Sequence, residues 1–314
     1  MRRRRFLGAL GAGLAGATAP GWLHAAVSRR SDEVFVERWS WAMGQPVHLQ
    51  LFARSEAAGY QAAQAALAEL RRVEGALSWF DDASDLTELN RHAGRGGVAV
   101  GPDLVAALAA AERFRRLTGG AFDAAVEPLM EAWGFHAPRT REPTEIELAE
   151  ARAAVRAARV EIRGRRVALS NSTTQLDLGG IGVGYGLDRA GGVLRAAGIG
   201  RAYLDVSGDC LAIGAPPGQA GWRVGVANPD GSGGVIAETR IRDAALATSS
   251  NLVSVVRYGR AVRGHVMDPA SGWPAARCRQ VTVVARTGIE ADALSTATLV
   301  SPERFPGVLR SYIV

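Results

Sequence analysis

Leu176-Asp177-Leu178-Gly179-Gly180-Ile181-Gly182-Val183-Gly184-Tyr185-Gly186 is the stretch from which the rest of the chain is read. An apolar strand end runs into a cluster of glycines and then into a helical stretch from Leu187 to Ala197. The spacing invites the dinucleotide fingerprint G-x-G-x-x-G, but Tyr185 stands where its last glycine belongs, so the fingerprint fails. Consecutive glycines still let the backbone approach a ligand closely and aim N–H groups at an anion, helped by the field of a helix N-terminus. A strand-to-helix turn that needs only positive φ makes the same demand, and the segment alone leaves both readings open.

Downstream of Arg159 the sequence breaks into short apolar runs at 160–162, 166–169, 202–206, 222–226, 253–256 and 281–285, separated by Gly, Asn and Asp turns. Only two helical patterns interrupt them, at about 185–197 and 289–300. Upstream, Val34–Val36 and Val47–Leu51 alternate like half-buried strands, and helices are expected over 56–77, 103–117 and 144–158, with Asp81 to Asn90 as a polar loop. That mixture predicts an α+β fold built on antiparallel pairing, not a strict βαβ repeat. With 314 residues, 47% of them hydrophobic, the chain can bury a sizeable core, and residues 33–314 are expected to form a single domain.

The chain contains no lysine, which excludes Schiff-base chemistry and the P-loop lysine. Its net charge of +6 suggests a nucleic-acid partner, but four of the 37 basic residues are Arg2 to Arg5; setting those aside leaves 33 against 31 acidic residues. No basic stripe interleaved with aromatics remains, so nucleic acid is excluded as a partner. Residues 1–28 carry a basic start and an uncharged, glycine-broken run, the layout of an export signal. Arg3-Arg4-Arg5-Phe6-Leu7 fits the twin-arginine pattern, which predicts a periplasmic protein whose signal is cleaved or kept as an N-terminal anchor. Cys210 and Cys278 are the only thiols, and that compartment would permit a disulfide between them.

The five histidines are scattered and show no zinc spacing, and there is no G-x-S-x-G elbow. Three segments carry chemistry. In Glu290–Thr296, Asp292 and Thr296 lie four apart on a helix and offer a carboxylate and a hydroxyl to one point, both hard oxygen ligands suited to magnesium. In Gly264–Pro269, His265 and Asp268 place an imidazole and a carboxylate near one loop, where they could orient a hydroxyl or move its proton. The glycine segment is the third. Each also has an ordinary reading, as a helix cap, a locally satisfied histidine or a turn. Trp79-Phe80 and Trp133-Gly134-Phe135 read first as packing aromatics.

Taken in order, six segments together resemble the FAD:protein FMN transferase (ApbE) family over about residues 40–300. They are Met43-Gly44; Ser78–Asp81 with Ser84–Asn90; Gly119–Asp123 through Glu127-Pro128-Leu129 to Trp133–Phe135; the glycine segment; His265–Pro269 with Ser271–Pro274; and Asp292–Ala297. The resemblance implies a T-fold-like α+β architecture of antiparallel sheets packed with helices. It implies FAD held by Met43, Phe80, Ala121, Phe122, Asp123, Gly180, Val183 and His265, and Mg²⁺ held by a carbonyl at Gly182 with Asp292 and Thr296. It implies transfer of FMN from FAD to a Thr or Ser hydroxyl of a partner, the flavin-accepting domain of an exported or membrane redox protein, with release of AMP and with His265 and Asp268 as catalytic residues. Alternatives on the same frame are hydrolysis of FAD to FMN and AMP, or a non-catalytic flavin-binding protein that assists assembly of a membrane redox complex. Val183, Ser207, Ser250 and Phe80 depart from the family pattern, which has a polar side chain, two glycines and a tyrosine there.

Overall fold

Alternation of apolar residues along the chain builds one seven-stranded sheet whose strands enter in chain order, each antiparallel to the last. They are β1 (Val34–Ala42), β2 (Gln45–Ala53), β3 (Arg201–Val206), β4 (Asp209–Ile213), β5 (Ala244–Ser250), β6 (Gln280–Ala285) and β7 (Arg310–Ile313). The computed structural model describes residues 33–230 and 232–314, and the export signal read over 1–28 lies outside the described residues. None of the described helices is long and apolar enough to cross a membrane.

Period-2 patterning gives the sheet two apolar faces. In β3, Ala202, Leu204 and Val206 point into the main core, while Tyr203 on the opposite face joins Phe52, Cys210 and Leu246 beneath a hairpin of strands Trp222–Ala227 and Val235–Ile241. Helices α1 (Glu56–Leu77), α2 (Gly182–Ala196) and α3 (Gly288–Val300) cover the first face, α1 on β1 and β2, α2 on β3 and β4, α3 on β5 and β6. A smaller cluster of Leu129, Trp133, Leu148 and Val155 joins the helices Glu127–Ala132 and Glu145–Ala157. The Trp133 indole donates to the Gly272 carbonyl at 2.8 Å, which ties that cluster to the loop after His265.

The expected helices occur within a few residues of their predicted ends. Pro102 opens one at its first position, and Thr144 and Glu147 form a reciprocal capping box on another. The segment expected as a loop over Asp81 to Asn90 is corrected in part: Asp85–Arg91 is helical, with the Ser84 hydroxyl accepting from the Thr87 N–H at 3.0 Å. Leu86 and Leu89 bury one face of it, but two apolar residues are too few to reveal a 3.6-residue period. The strand expected at 253–256 runs instead over Val255–Tyr258, because residues 251–254 form the turn that leads into it. Cys210 and Cys278 are buried free thiols, so no disulfide joins them.

Helices α2 and α3 meet at their N-termini through two glycines. A Cβ on Gly184 would lie 2.2 Å from the Gly288 carbonyl oxygen, and one on Gly288 would lie 2.4 Å from that of Gly184. Only hydrogens fit between these backbones. Gly184→Ala must therefore part the two helices, and it is expected to lower stability by about 3 kcal/mol or more, at the upper end of overpacking costs. Thermal unfolding followed by circular dichroism checks this; an unchanged midpoint would show that the contact is not a constraint.

Candidate active site

The glycine segment ends a chain of contacts that gathers most of the predicted residues at the N-termini of α2 and α3. The Gly184 N–H, one of the orphan donors at the head of α2, donates to Asp292 Oδ2 at 2.9 Å. In return Asp188 of α2 accepts from the Gly288 and Ile289 N–H groups of α3 at 2.7 and 2.9 Å. Each helix thus supplies the carboxylate that caps the other. Burial pushes the Asp292 carboxyl up to about 7, and burial also raises Asp188. Burial, followed by the charge of Asp292, drives Asp209 at the start of β4 well above the ordinary range; Asp209 accepts from the Thr248 N–H at 2.9 Å.

One turn along α3 from Asp292, Thr296 is the partly exposed position in an otherwise buried run. Its Oγ1 lies 3.1 Å from the Ser249 hydroxyl, which is 2.7 Å from that of Ser295. A Cβ on Gly180 would meet Thr296 Oγ1 at 3.0 Å and the Phe122 ring at 3.4 Å, so Gly180, Phe122 and Thr296 are neighbours. The segments around Phe122 and Gly180 are also joined by the Asp177 N–H donating to the Ala124 carbonyl at 2.8 Å.

The magnesium ligands expected from sequence fit this place with one change. Hydroxyl, carboxylate and carbonyl oxygens are hard donors suited to magnesium, and the charge of buried Asp292 adds to the cost of ionising buried Asp209 in a way a cation relieves. Gly182, however, is the first residue of α2, where a carbonyl belongs to the helical ladder, whereas Gly180 lies outside the helix against Thr296. The backbone that lies against Thr296 is therefore that of Gly180, a distinction that glycine spacing alone could not draw.

The other predicted residues divide. The Met43 side chain packs toward Gly186, where a Cβ would meet its Sδ and Cε at 3.6 Å, and Met43 and Gly44 both donate through their N–H groups to Glu74. Phe80 is 66% exposed and meets the His136 ring edge-on at 5.7 Å. Ala121 follows the left-handed Gly119-Gly120 turn, and Asp123 accepts from the Ala125 N–H at 2.9 Å with its carboxyl raised by burial. Val183 packs against the main core, where it makes no polar contact. His265 has a buried Nδ1 without a hydrogen-bond partner and a proton affinity lowered by burial, so the ring is a neutral imidazole near pH 7. Asp268 lies in the turn that follows. Its carboxylate accepts from the Ala270 N–H at 2.9 Å and the Ser271 hydroxyl at 2.7 Å, building the turn that ends in Trp273.

The family pattern of ApbE matches residues 43–312. The chain belongs to the ApbE family. It is 30% identical over 248 residues to a FAD:protein FMN transferase of Treponema pallidum, covering 74% of this chain and 68% of that protein. A FAD:protein FMN transferase of Vibrio cholerae is 28% identical over 239 residues, covering 74% of this chain and 71% of that protein. Among solved structures, an ApbE protein from Thermotoga maritima superposes with a TM-score of 0.78 at 30% identity, covering 85% of this chain and 87% of that one. A flavin transferase ApbE from Vibrio cholerae superposes at 0.73 with 25% identity, covering 86% of this chain and 89% of that one. The α+β architecture expected from the sequence is that of the ApbE family, and the chain is an enzyme of that family.

Sequence reading missed four groups at this ApbE site: Asp209, Asp188, and the pair Glu127 and His136. Asp209 follows a two-residue turn at Ser207-Gly208, where Ser207 has a φ of 53° that glycine would adopt without strain, and that turn was the available signal. Gly182 faces open space, with no atom within 4 Å of a Cβ placed there. Gly182→Val is therefore expected to fold normally and to weaken FAD binding at least tenfold, measured by flavin fluorescence quenching; unchanged affinity would return the segment to an ordinary turn.

Proposed function

We propose that this ApbE protein transfers FMN from FAD to a threonine or serine hydroxyl of a partner protein, releasing AMP, with magnesium required. The observation that carries the reading is that Gly180 lies against Thr296 while Asp292, one turn earlier on α3, caps Gly184 at the glycine-lined head of α2. The relatives named above as FAD:protein FMN transferases support it.

In this reading the acceptor hydroxyl oxygen forms a bond to the FMN phosphorus, the pyrophosphate P–O bond breaks, and AMP leaves with the bridging oxygen. Asp292, Thr296 and the Gly180 backbone would hold magnesium, which when bound would supply positive charge to the pyrophosphate. His265 takes the hydroxyl proton, its imidazole being kept neutral by burial. The glycine segment lets the phosphates approach the backbone N–H groups of α2. The acceptor would be the flavin-accepting domain of an exported or membrane redox protein, and the arginine-rich start would send the enzyme to the same periplasm by the twin-arginine route.

Asp292→Ala is expected to abolish transfer, and Thr296→Ala to weaken it less, because water replaces a neutral ligand more readily than a charged one. His265→Ala should lose about 10² to 10⁴ in rate while still binding FAD, since general-base help is of that size. Intact mass of an acceptor domain incubated with FAD and Mg²⁺ reads all three; a wild type that binds FAD yet leaves acceptors unmodified, or full activity of Asp292→Ala in EDTA, would sink the reading. Export is tested by changing Arg2 to Arg5 together to Lys, which keeps the charge. Cytoplasmic retention is expected, and normal appearance in the periplasm would favour the general secretory route.

A further inference from the structure

The helix Glu127–Ala132 and the loop after it bring together two groups that the proposed reaction does not use. Glu127, 2% exposed, places Oε2 2.6 Å from Nδ1 of His136. Trp79 stacks on the imidazole at 5.0 Å with the planes 18° apart, and Phe80 meets it edge-on. The ring is thus fixed by a carboxylate and two aromatics. Its other nitrogen, Nε2, faces Oδ2 of Asp177, at the entrance to the glycine segment, across 3.9 Å. That separation is too long for a hydrogen bond and suits a gap that polar atoms of a third group bridge.

Glu127, His136 and Asp177 could together suggest a metal site. The geometry argues against all three binding one ion, because the two carboxylates sit at opposite nitrogens of a single ring. It suits the arrangement in which one carboxylate fixes a histidine from behind and the far nitrogen meets a ligand. A ring N–H beside a carboxylate presents a donor and an acceptor side by side. Their complement is a carbonyl next to an N–H, the pattern along the imide edge of a flavin ring, and the exposed Phe80 ring lies beside the gap.

We propose that Glu127, His136 and Asp177 form a clamp for the imide edge of the flavin, His136 Nε2–H donating to a ring carbonyl and Asp177 accepting from the adjacent N3–H. The inference rests on the reading of this site as a flavin site and adds which edge of the ring is held and by what. Its proton logic follows from the pair. Burial raises Glu127 to about 7 against the pull of His136; burial alone would lower His136, but the hydrogen bond and charge of Glu127 outweigh it and raise the imidazole. One proton is shared between Oε2 and Nδ1, and in the doubly protonated pair Nε2 carries a second. Asp177 and Glu131 favour the protonated ring, and Asp177 and His136 in turn bear on His265. As pH rises the pair loses one of its two protons; the one that remains stays between Oε2 and Nδ1, so Nε2 is left bare against the Asp177 carboxylate and the donor is gone.

Full-length protein is titrated by fluorescence quenching with FMN and with N3-methyl FMN, from pH 6 to pH 9. Wild type should prefer FMN at least tenfold, since a site built to bond an N–H rejects an analogue lacking it, and its affinity should fall at least tenfold toward pH 9. His136→Gln should bind FMN weakly with a flat pH profile, and Asp177→Asn should lose discrimination against the methylated ring. Glu127→Gln, nearly isosteric, should flatten the profile without lowering the thermal midpoint, which guards against misfolding of the histidine variant. Equal affinity of wild type for the two flavins, or a wild-type pH profile retained in His136→Gln, would overturn the clamp. So would one-to-one binding of Mn²⁺ or Zn²⁺ lost in His136→Gln, which would make the cluster a metal site. A wild type that shows the discrimination yet modifies no acceptor supports the clamp and removes the transferase reading alone.

Discussion

Where α2 and α3 start, two backbones touch with nothing but glycine hydrogens between them, and the site depends on that contact. Gly184 against Gly288 brings the two helix N-termini so close that each can be capped from the other helix, Asp292 on Gly184 and Asp188 on Gly288 and Ile289. Two partial positive charges placed side by side would repel; two carboxylates set into them cancel that field. The same carboxylate that settles the head of α2 is the charged ligand proposed for magnesium. On that proposal a structural cap and a metal ligand are one residue, and its position is set by packing.

Around this contact the protein collects buried acid. Asp209, Asp188, Asp292 and Asp123 all have carboxyls raised by burial. Elsewhere the chain handles buried acid with arginine, as at Asp103, which Arg72 and the Tyr185 hydroxyl both reach. The aspartates at the head of α2 and α3 have backbone N–H groups as partners instead. Backbone donors satisfy hydrogen bonds without bringing a full positive charge, so the region stays short of cations.

The sequence was most informative where function and local structure make the same demand. Glycines close to a strand end, Asp292 and Thr296 four apart, and His265 before a turn could each be named from spacing, and the glycines, Asp292 and Thr296 come together at the heads of α2 and α3. Asp268 reads as chemistry in the sequence because an Asp that builds a turn and an Asp that meets a ligand look alike from composition. Asp188 and Asp209 were illegible for the opposite reason: their roles come from elements 39 to 101 residues away in the chain, as the bonds from Thr248 and Ile289 show. Glu127 and His136 are nine apart with a tryptophan and a glycine between them, and only the fold turns that spacing into a 2.6 Å contact. The helices and the antiparallel sheet were legible because amphipathic period is a local property; pairing order and helix-end contacts are not.

Both thiols end inside the protein, Cys210 within the layer between sheet and hairpin beside Tyr203 and Cys278 in the main core. Burial raises the Cys210 thiol far above its ordinary range, so almost no thiolate exists to be oxidised. That protection exists only once the sheet has closed. A chain that meets an oxidant while extended presents two reactive sulfurs with no native bridge to form, and any disulfide it makes is a wrong one. A chain that folds first carries them past the same oxidant as inert packing. The order of two events, collapse and encounter with an oxidant, thus decides whether these sulfurs are reached.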